Sequence, residues 1–277
     1  MKKAFVTVCL SLLLGASINN YFSKNSLKLI NDSEAAQFKN PVNTPSVAKI
    51  NITLTENIDF DKVLADLSKA AKDKNIAAIL LLVENYGGEV VRFSVMHDMI
   101  KEIAKSKPVV SYAVAAASGG YLACCSSNYI VGSTASCIGS IGVYQELHKH
   151  KGIDKNNSGM DVEIITPCEF KALENPYLKL TSRQKKYLQN KIDHAYQNFL
   201  EIVCDDRKDR NLTMDDYKKW AEGQVFDGNQ AKELGLIDEV GTLFSAERKI
   251  CELLGIDAQS ELNIIDLNPR NEKSVNK

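Results

Sequence analysis

Residues Ile76 to Val83 read IAAILLLV, with Lys74-Asn75 before them and Glu84-Asn85 after. A strand with one wet face alternates between apolar and polar residues. A short run this uniformly apolar suits a strand covered on both faces. Helices must then lie on both sides of the sheet, and the neighbouring sequence has that pattern. Val47 to Leu54 alternates like a strand, and Asp59 to Lys72 follows with helical spacing at Phe60, Val63, Leu64 and Leu67. Glu84 to Glu89 is a glycine-containing turn. Val90 to Ala104 is helical, with Val91, Val95, Met99 and Ile103 four apart, and Pro108 to Val114 is a second buried strand. Repeated strand–helix–strand alternation predicts an α/β fold with a mainly parallel sheet and packed helices.

Further along, Ile130-Val131 leads into a small-residue stretch, Gly132 to Gly142, and Val162 to Thr166 reads as another strand. Thr181 opens a long helix, with Gln184 placed for a capping box and an apolar face of Leu188, Ile192, Ala195, Phe199 and Ile202. Asp227 caps a further helix that stops at Gly235, and Leu262 to Leu267 forms a last short strand. The sequence divides into a leader (1–22), a polar linker (23–46), the folded body (47–267) and a polar tail (268–277).

The leader has Lys2 and Lys3 ahead of the uncharged run Ala4 to Ile18. This is the pattern of a secretory signal or signal anchor. Positive charge ahead of the run keeps the N-terminus in the cytoplasm and sends the body outward. The expected location is the cytoplasmic (inner) membrane, with the body on the outer or periplasmic side, or secretion if the segment is cut. Lys plus Arg is 34 against 35 for Asp plus Glu, a balance with no pull toward nucleic acid. The seven cysteines include no CxxC pair, which argues against a zinc ribbon or disulfide scaffold. Cys124 and Cys125 read as buried thiols packed as small apolar groups.

The chemistry gathers at Ala113 to Ala123, AVAAASGGYLA. A serine at a strand-to-helix turn presents its hydroxyl outward. The N–H groups that follow it can hold an oxyanion, and the glycines admit a peptide close to the backbone. Tight packing by small residues explains the same stretch without catalysis. A nucleophilic Ser118 needs a base. His194 reads as solvated, His148 and His150 as surface residues, and His97 as structural. A lysine is the other option, but it acts as a base only when neutral, a form that burial favours. Lys171, in PCEFKALENPY, has Cys168, Phe170, Ala172 and Leu173 around it as a possible shield.

These residues resemble the signal peptide peptidase A (protease IV) family of Ser/Lys serine proteases, peptidase family S49. Glu84-Asn85-Tyr86-Gly87-Gly88 corresponds to the family's D-S-P-G-G turn, and Ala116 to Leu122 to its A-A-S-G-G-Y-Y motif. Gly139 to Val143 matches G-S-I-G-V, Cys168 to Lys171 with Pro176 represents the lysine motif, and Gly228 to Gly241 matches the terminal motif. The resemblance implies a ClpP/crotonase-like fold, Ser118 as nucleophile and Lys171 as general base. It implies an oxyanion hole of the Gly88 and Gly119 N–H groups, and Ser140 orienting the lysine. It also implies a homo-oligomer with active sites shared between protomers. The substrates would be cleaved signal peptides and other unfolded apolar segments at the membrane, and the chemistry needs no metal or cofactor. Two departures stand out: Asn85-Tyr86 replaces Ser-Pro in the turn, and Glu169 places an anion beside Lys171. Competing readings are a capsid-maturation protease of phage type and a non-catalytic scaffold. A Ser-His-Asp peptidase of the same superfold is disfavoured, because no histidine follows Ser118 before His148.

Overall fold

A computed structural model describes residues 44–53, 60–148, 163–177, 179–210 and 212–269. The leader, the linker up to residue 43, His150 and the tail beyond residue 269 lie outside the described residues. By its internal contacts the chain divides into Met1–Thr44 and Pro45–Lys277, and the second unit holds the features below.

The run that reads as a doubly covered strand is β2, Ile76–Asn85, between β1, Ser46–Ile52, and β3, Val109–Ala117. Both pairings are parallel. Parallel neighbours need crossover helices, here α1, Phe60–Lys72, and α2, Val90–Ala104. A short helix, α3 (Gly119–Cys125), then leads to β4, Tyr129–Gly139, parallel to β3. The sheet is completed by β5 (Val225–Phe226), β6 (Glu239–Val240) and β7 (Asn263–Asp266), in the order β5-β4-β3-β2-β1-β7, with β6 also on β4. Among the described residues, only the β4–β5 pairing is antiparallel.

Side chains alternate faces along each strand. Ile79, Leu81 and Val83 join the core packed by α1, α2, α3 and the long helix α4, Ser182–Asp206. Ala78 and Leu80 join the opposite core with Ala246 and Ile250 of α6, Leu243–Leu254. The remaining helix, α5 (Gly228–Glu233), follows β5.

Several local expectations are met. Thr181 and Gln184 form a reciprocal capping box on α4, and Asp227 with Gln230 does the same on α5. Cys124, Cys125 and Cys251 are buried free thiols, and burial pushes Cys124 up to about 12. His148 and His194 are exposed.

Three expectations are corrected. Residues 163–166 form no strand, and Ile165 is 92% exposed, so its side chain has no face to bury against. The core face of α2 is Phe93, Met96, Ile100 and Ile103, whereas Val91 and Val95 are exposed. A strict four-residue row drifts around a helix of 3.6 residues per turn, so only the far end of the Val91-to-Ile103 row reaches the core. Finally, β4 continues to Gly139 through the stretch that reads only as small residues.

Candidate active site

Ser118 joins β3 to α3 at φ 52° and ψ −122°. Among the described residues, Ser118 and Ser140 are the ones other than glycine with positive φ. Such a backbone costs on the order of 1–3 kcal/mol and persists only where its surroundings hold it. Here the Ser118 N–H donates to Gly139 O at 2.8 Å, and Ser118 O accepts from Leu122 N–H at 3.0 Å. Ser140 follows Gly139 at the end of β4, with φ 48°. The pairing of Ala117 with Gly139 brings Ser118 and Ser140 to neighbouring strand ends.

The glycines pack as tightly as the small-residue reading requires. A Cβ on Gly119 would lie 2.4 Å from the Phe93 ring, and one on Gly120 would lie 2.2 Å from Asn85 O. A Cβ on Gly87, where φ is +98°, would lie 2.7 Å from Gly119 N and 3.0 Å from Ser118 Oγ. The turn from Asn85 to Gly88 is therefore pressed against the Ser118 turn, backbone to backbone. Gly119 opens α3, so its N–H is one of the donors a helix start leaves without an intrahelical partner.

Asn85, one of the departures from the family turn, holds this arrangement. Its Oδ1 accepts from Gly87 N–H at 2.7 Å and its Nδ2 donates to Thr53 O at 2.9 Å, with the residue 3% exposed. Asn85→Ala leaves both groups without that partner. The expected result is a loss of about 1–3 kcal/mol in a denaturant titration. An unchanged midpoint would show that the turn does not depend on Asn85.

A cleft of about 190 Å³ opens at Ser118. Gly88, Ser118 and Gly119 line one side, and Val90, Phe93, Leu122, Val143, Phe199 and Ile202 make most of the rest apolar, with Ser94 and Asn198 as polar members. The apolar face of α4 thus serves as a cleft wall through Ala195, Phe199 and Ile202.

Lys171 is not among the cleft-lining residues. It lies in the turns at Cys168–Asn175, and its side chain is exposed. Of the expected shield only Leu173 is buried, because the segment is docked onto the start of α4 instead. Phe170 packs on Tyr187 with ring centroids 4.8 Å apart, Arg183 sits over the Phe170 ring, and Gln184 donates to Glu169 O at 2.6 Å. Glu169 pairs with Arg183 at 2.7 Å, which turns its charge toward a cation other than Lys171. Ser118, Gly88 and Gly119 thus line one cleft, Ser140 lies at the neighbouring strand end, and Lys171 is exposed and not among the lining residues.

Two buried polar clusters escape a sequence reading. Arg207 and Asp238, 3% and 1% exposed at their side chains, form a bidentate pair at 3.0 Å; Asp238 also accepts from Ile130 N–H and Arg210. Asp238 belongs to the Gly228–Gly241 motif, so that stretch has a structural role behind the site. The second cluster surrounds His97, whose structural reading the fold supports: its ring nitrogens face Asp98 and Asp206 at 2.9 and 2.7 Å. Burial lowers the His97 pKa, but the two carboxylates outweigh it and hold the pKa above its ordinary value.

A family model described as peptidase family S49 matches residues 101–257. The putative protease MJ0651 of Methanocaldococcus jannaschii is 35% identical over 191 residues, which cover 69% of this chain and 60% of that protein. Protease 4 of Haemophilus influenzae is 31% identical over 201 residues, 72% of this chain and 32% of its own length. The putative signal peptide peptidase SppA of Enterococcus faecium is 29% identical over 196 residues, 69% of this chain and 55% of its own. The chain thus spans between a third and three fifths of these relatives. Among solved structures, the 1510-N membrane-bound stomatin-specific protease, determined as a mutant, superposes with a TM-score of 0.51 at 14% identity. That match covers 83% of this chain and 100% of the other, a likeness of fold.

Proposed function

The chain belongs to peptidase family S49, and on that footing we propose that it is a serine endopeptidase with Ser118 as nucleophile and Lys171 as general base. The observation that carries this reading is Ser118 itself. A serine held at positive φ, at the mouth of an apolar cleft and against the Gly87-Gly88 turn, is the arrangement that hydroxyl attack on a peptide carbonyl requires.

The neutral amine of Lys171 takes the Ser118 proton as Oγ attacks the scissile carbonyl. The Gly88 and Gly119 N–H groups hold the oxyanion, each contributing about 3 kcal/mol to the transition state. The amine then passes the proton to the leaving nitrogen. Water, activated by the same lysine, hydrolyses the acyl-enzyme. Ser140, one residue past the carbonyl that anchors Ser118, orients the amine. Because Lys171 is exposed in one chain and absent from its cleft lining, the dyad is completed between protomers of a homo-oligomer.

The apolar cleft suits unfolded, apolar peptide segments, with cleaved signal peptides as the substrate class. Among the described residues no helix is long and apolar enough to cross a membrane. Anchoring is assigned to the leader, with the protease body on the outer or periplasmic side of the cytoplasmic membrane.

Mixing two inactive variants tests the shared site. Ser118→Ala and Lys171→Ala protomers, dissociated and reassembled together, should regain about a quarter of wild-type peptidase activity, since one site in four receives both groups. No recovery in mixed oligomers of wild-type size would place both groups in one protomer.

A further inference from the structure

The buried cluster behind the cleft carries an inference independent of the proteolytic chemistry. We propose that His97, Cys125 and Asp206 bind one thiophilic divalent cation of the zinc class, which displaces the protons between them. The three residues come from α2, the end of α3 and the end of α4. His97 is 2% exposed, Cys125 1% and the Asp206 side chain 3%. Asp206 Oδ2 accepts from both His97 Nε2 at 2.7 Å and Cys125 Sγ at 3.3 Å. The imidazole nitrogen, the sulfur and the carboxylate oxygen all lie within 4.8 Å of one another.

This is a nitrogen–sulfur–oxygen set, which suits zinc and its neighbours and not the hard cations that take oxygen alone. The surrounding groups are those that orient metal ligands. Metal-bound imidazoles characteristically donate their second N–H to a carboxylate, and His97 Nδ1 faces Asp98 Oδ1 at 2.9 Å. The other oxygen of Asp206, Oδ1, is taken by Lys101 at 2.8 Å, and Lys101 also pairs with Asp205 at 2.6 Å. Oδ2 is thereby left for the ion. Tetrahedral coordination sets donor atoms about 3.4–3.6 Å apart, so the 2.7 Å His97–Asp206 gap must widen by less than about 1 Å, and no pair of the three, all within 4.8 Å, must close by more than about 1.4 Å.

The exchange balances in charge. With carboxylates facing both ring nitrogens, His97 is an imidazolium, Cys125 is a thiol and Asp206 an anion, so the trio is neutral. A divalent ion that displaces the Nε2 proton and the thiol proton leaves a neutral imidazole, a thiolate and the same carboxylate, again neutral overall. Asp98, Lys101 and Asp205 keep their charges and partners. The buried site therefore takes up the ion without adding buried charge, the main obstacle to binding an ion in an interior. The ion would clamp α2, α3 and α4 behind the cleft walls that Phe93, Leu122 and Phe199 form.

The test is titration of the metal-free full chain with Co²⁺ and Zn²⁺, beside Cys125→Ser and a Cys168→Ser control at the exposed thiol. The expected result is one equivalent bound, with a thiolate-to-cobalt charge-transfer band and the intense visible bands of tetrahedral cobalt. Both should persist in Cys168→Ser and vanish in a folded Cys125→Ser. Free zinc at a hundredfold excess over its Kd should raise the melting temperature by about 5–10 °C, and not in Cys125→Ser. A folded wild type without the thiolate band overturns the proposal, as does a band that survives in Cys125→Ser or disappears in Cys168→Ser.

Discussion

Ser118→Ala should lower peptide hydrolysis at least about 10⁴-fold while leaving the fold unchanged. The substitution removes one oxygen from a half-buried side chain. The turn is held by backbone bonds to Gly139 and Leu122, which alanine retains. Alanine and serine also bear a similar steric cost at positive φ, so the strained link from β3 to α3 persists. The lost activity should appear in kcat, with binding of an apolar peptide in the Phe93–Phe199 cleft largely preserved, because the missing group acts in the transition state and not in the ground-state complex. Gly119→Ala is a different kind of change: its Cβ would run into the Phe93 ring, so it alters the cleft as well as the turn. A Ser118→Ala protein that keeps a tenth or more of wild-type activity would exclude Ser118 as nucleophile.

Asp238→Ala should destabilise the body by about 3–5 kcal/mol, the cost of leaving one partner of a buried ion pair uncompensated. Arg207 is 3% exposed and would keep Gly235 O as a neutral acceptor while losing the carboxylate it holds through two nitrogens. Ile130 N–H at the start of β4 would lose its side-chain acceptor as well. The same pair sets a pH dependence. Burial by itself raises the Asp238 pKa, but the Arg207 guanidinium outweighs it and holds the carboxyl below its ordinary value. A depressed carboxyl stabilises the fold above its unfolded pKa of about 3.9 and loses that contribution as pH falls through the folded value. Wild-type stability should therefore decline below about pH 4, and the decline should be shallower in Asp238→Ala. Urea titrations at pH 7 and pH 3 check both points. An Asp238→Ala midpoint equal to wild type at pH 7 would show that the buried pair contributes nothing.

How much the sequence reveals depends on whether the signal is local. The Ile76–Val83 run is legible because burial on both faces leaves a continuous apolar string. The limits of α2 are legible because a glycine turn precedes it and Pro108 follows. The length of β4 is hidden because it pairs with β3 at Gly132 and again from Cys137 to Gly139, across an irregularity in register that no apolar pattern marks. The two-residue strands β5 and β6 exist only through their contacts with β4. At the site, the turns around Gly87 and Ser118 show themselves through glycines that a close approach demands. The His97–Asp206 contact joins residues 109 apart and Arg207–Asp238 residues 31 apart, so neither pair can be read from spacing. The exposure of Lys171 is likewise set by where its segment docks, on Arg183, Gln184 and Tyr187 of α4, and not by the apolar residues beside it in the chain.

The proposed dyad makes Ser118 an activated nucleophile with Lys171 as its base. The most direct measurement is the intact mass of the full chain after treatment with a fluorophosphonate, beside Ser118→Ala and Lys171→Ala. The expected result is a single adduct on the wild type, mapped to Ser118 and absent from both variants. No adduct on a folded, oligomeric wild type, or one that persists in Ser118→Ala, would contradict it.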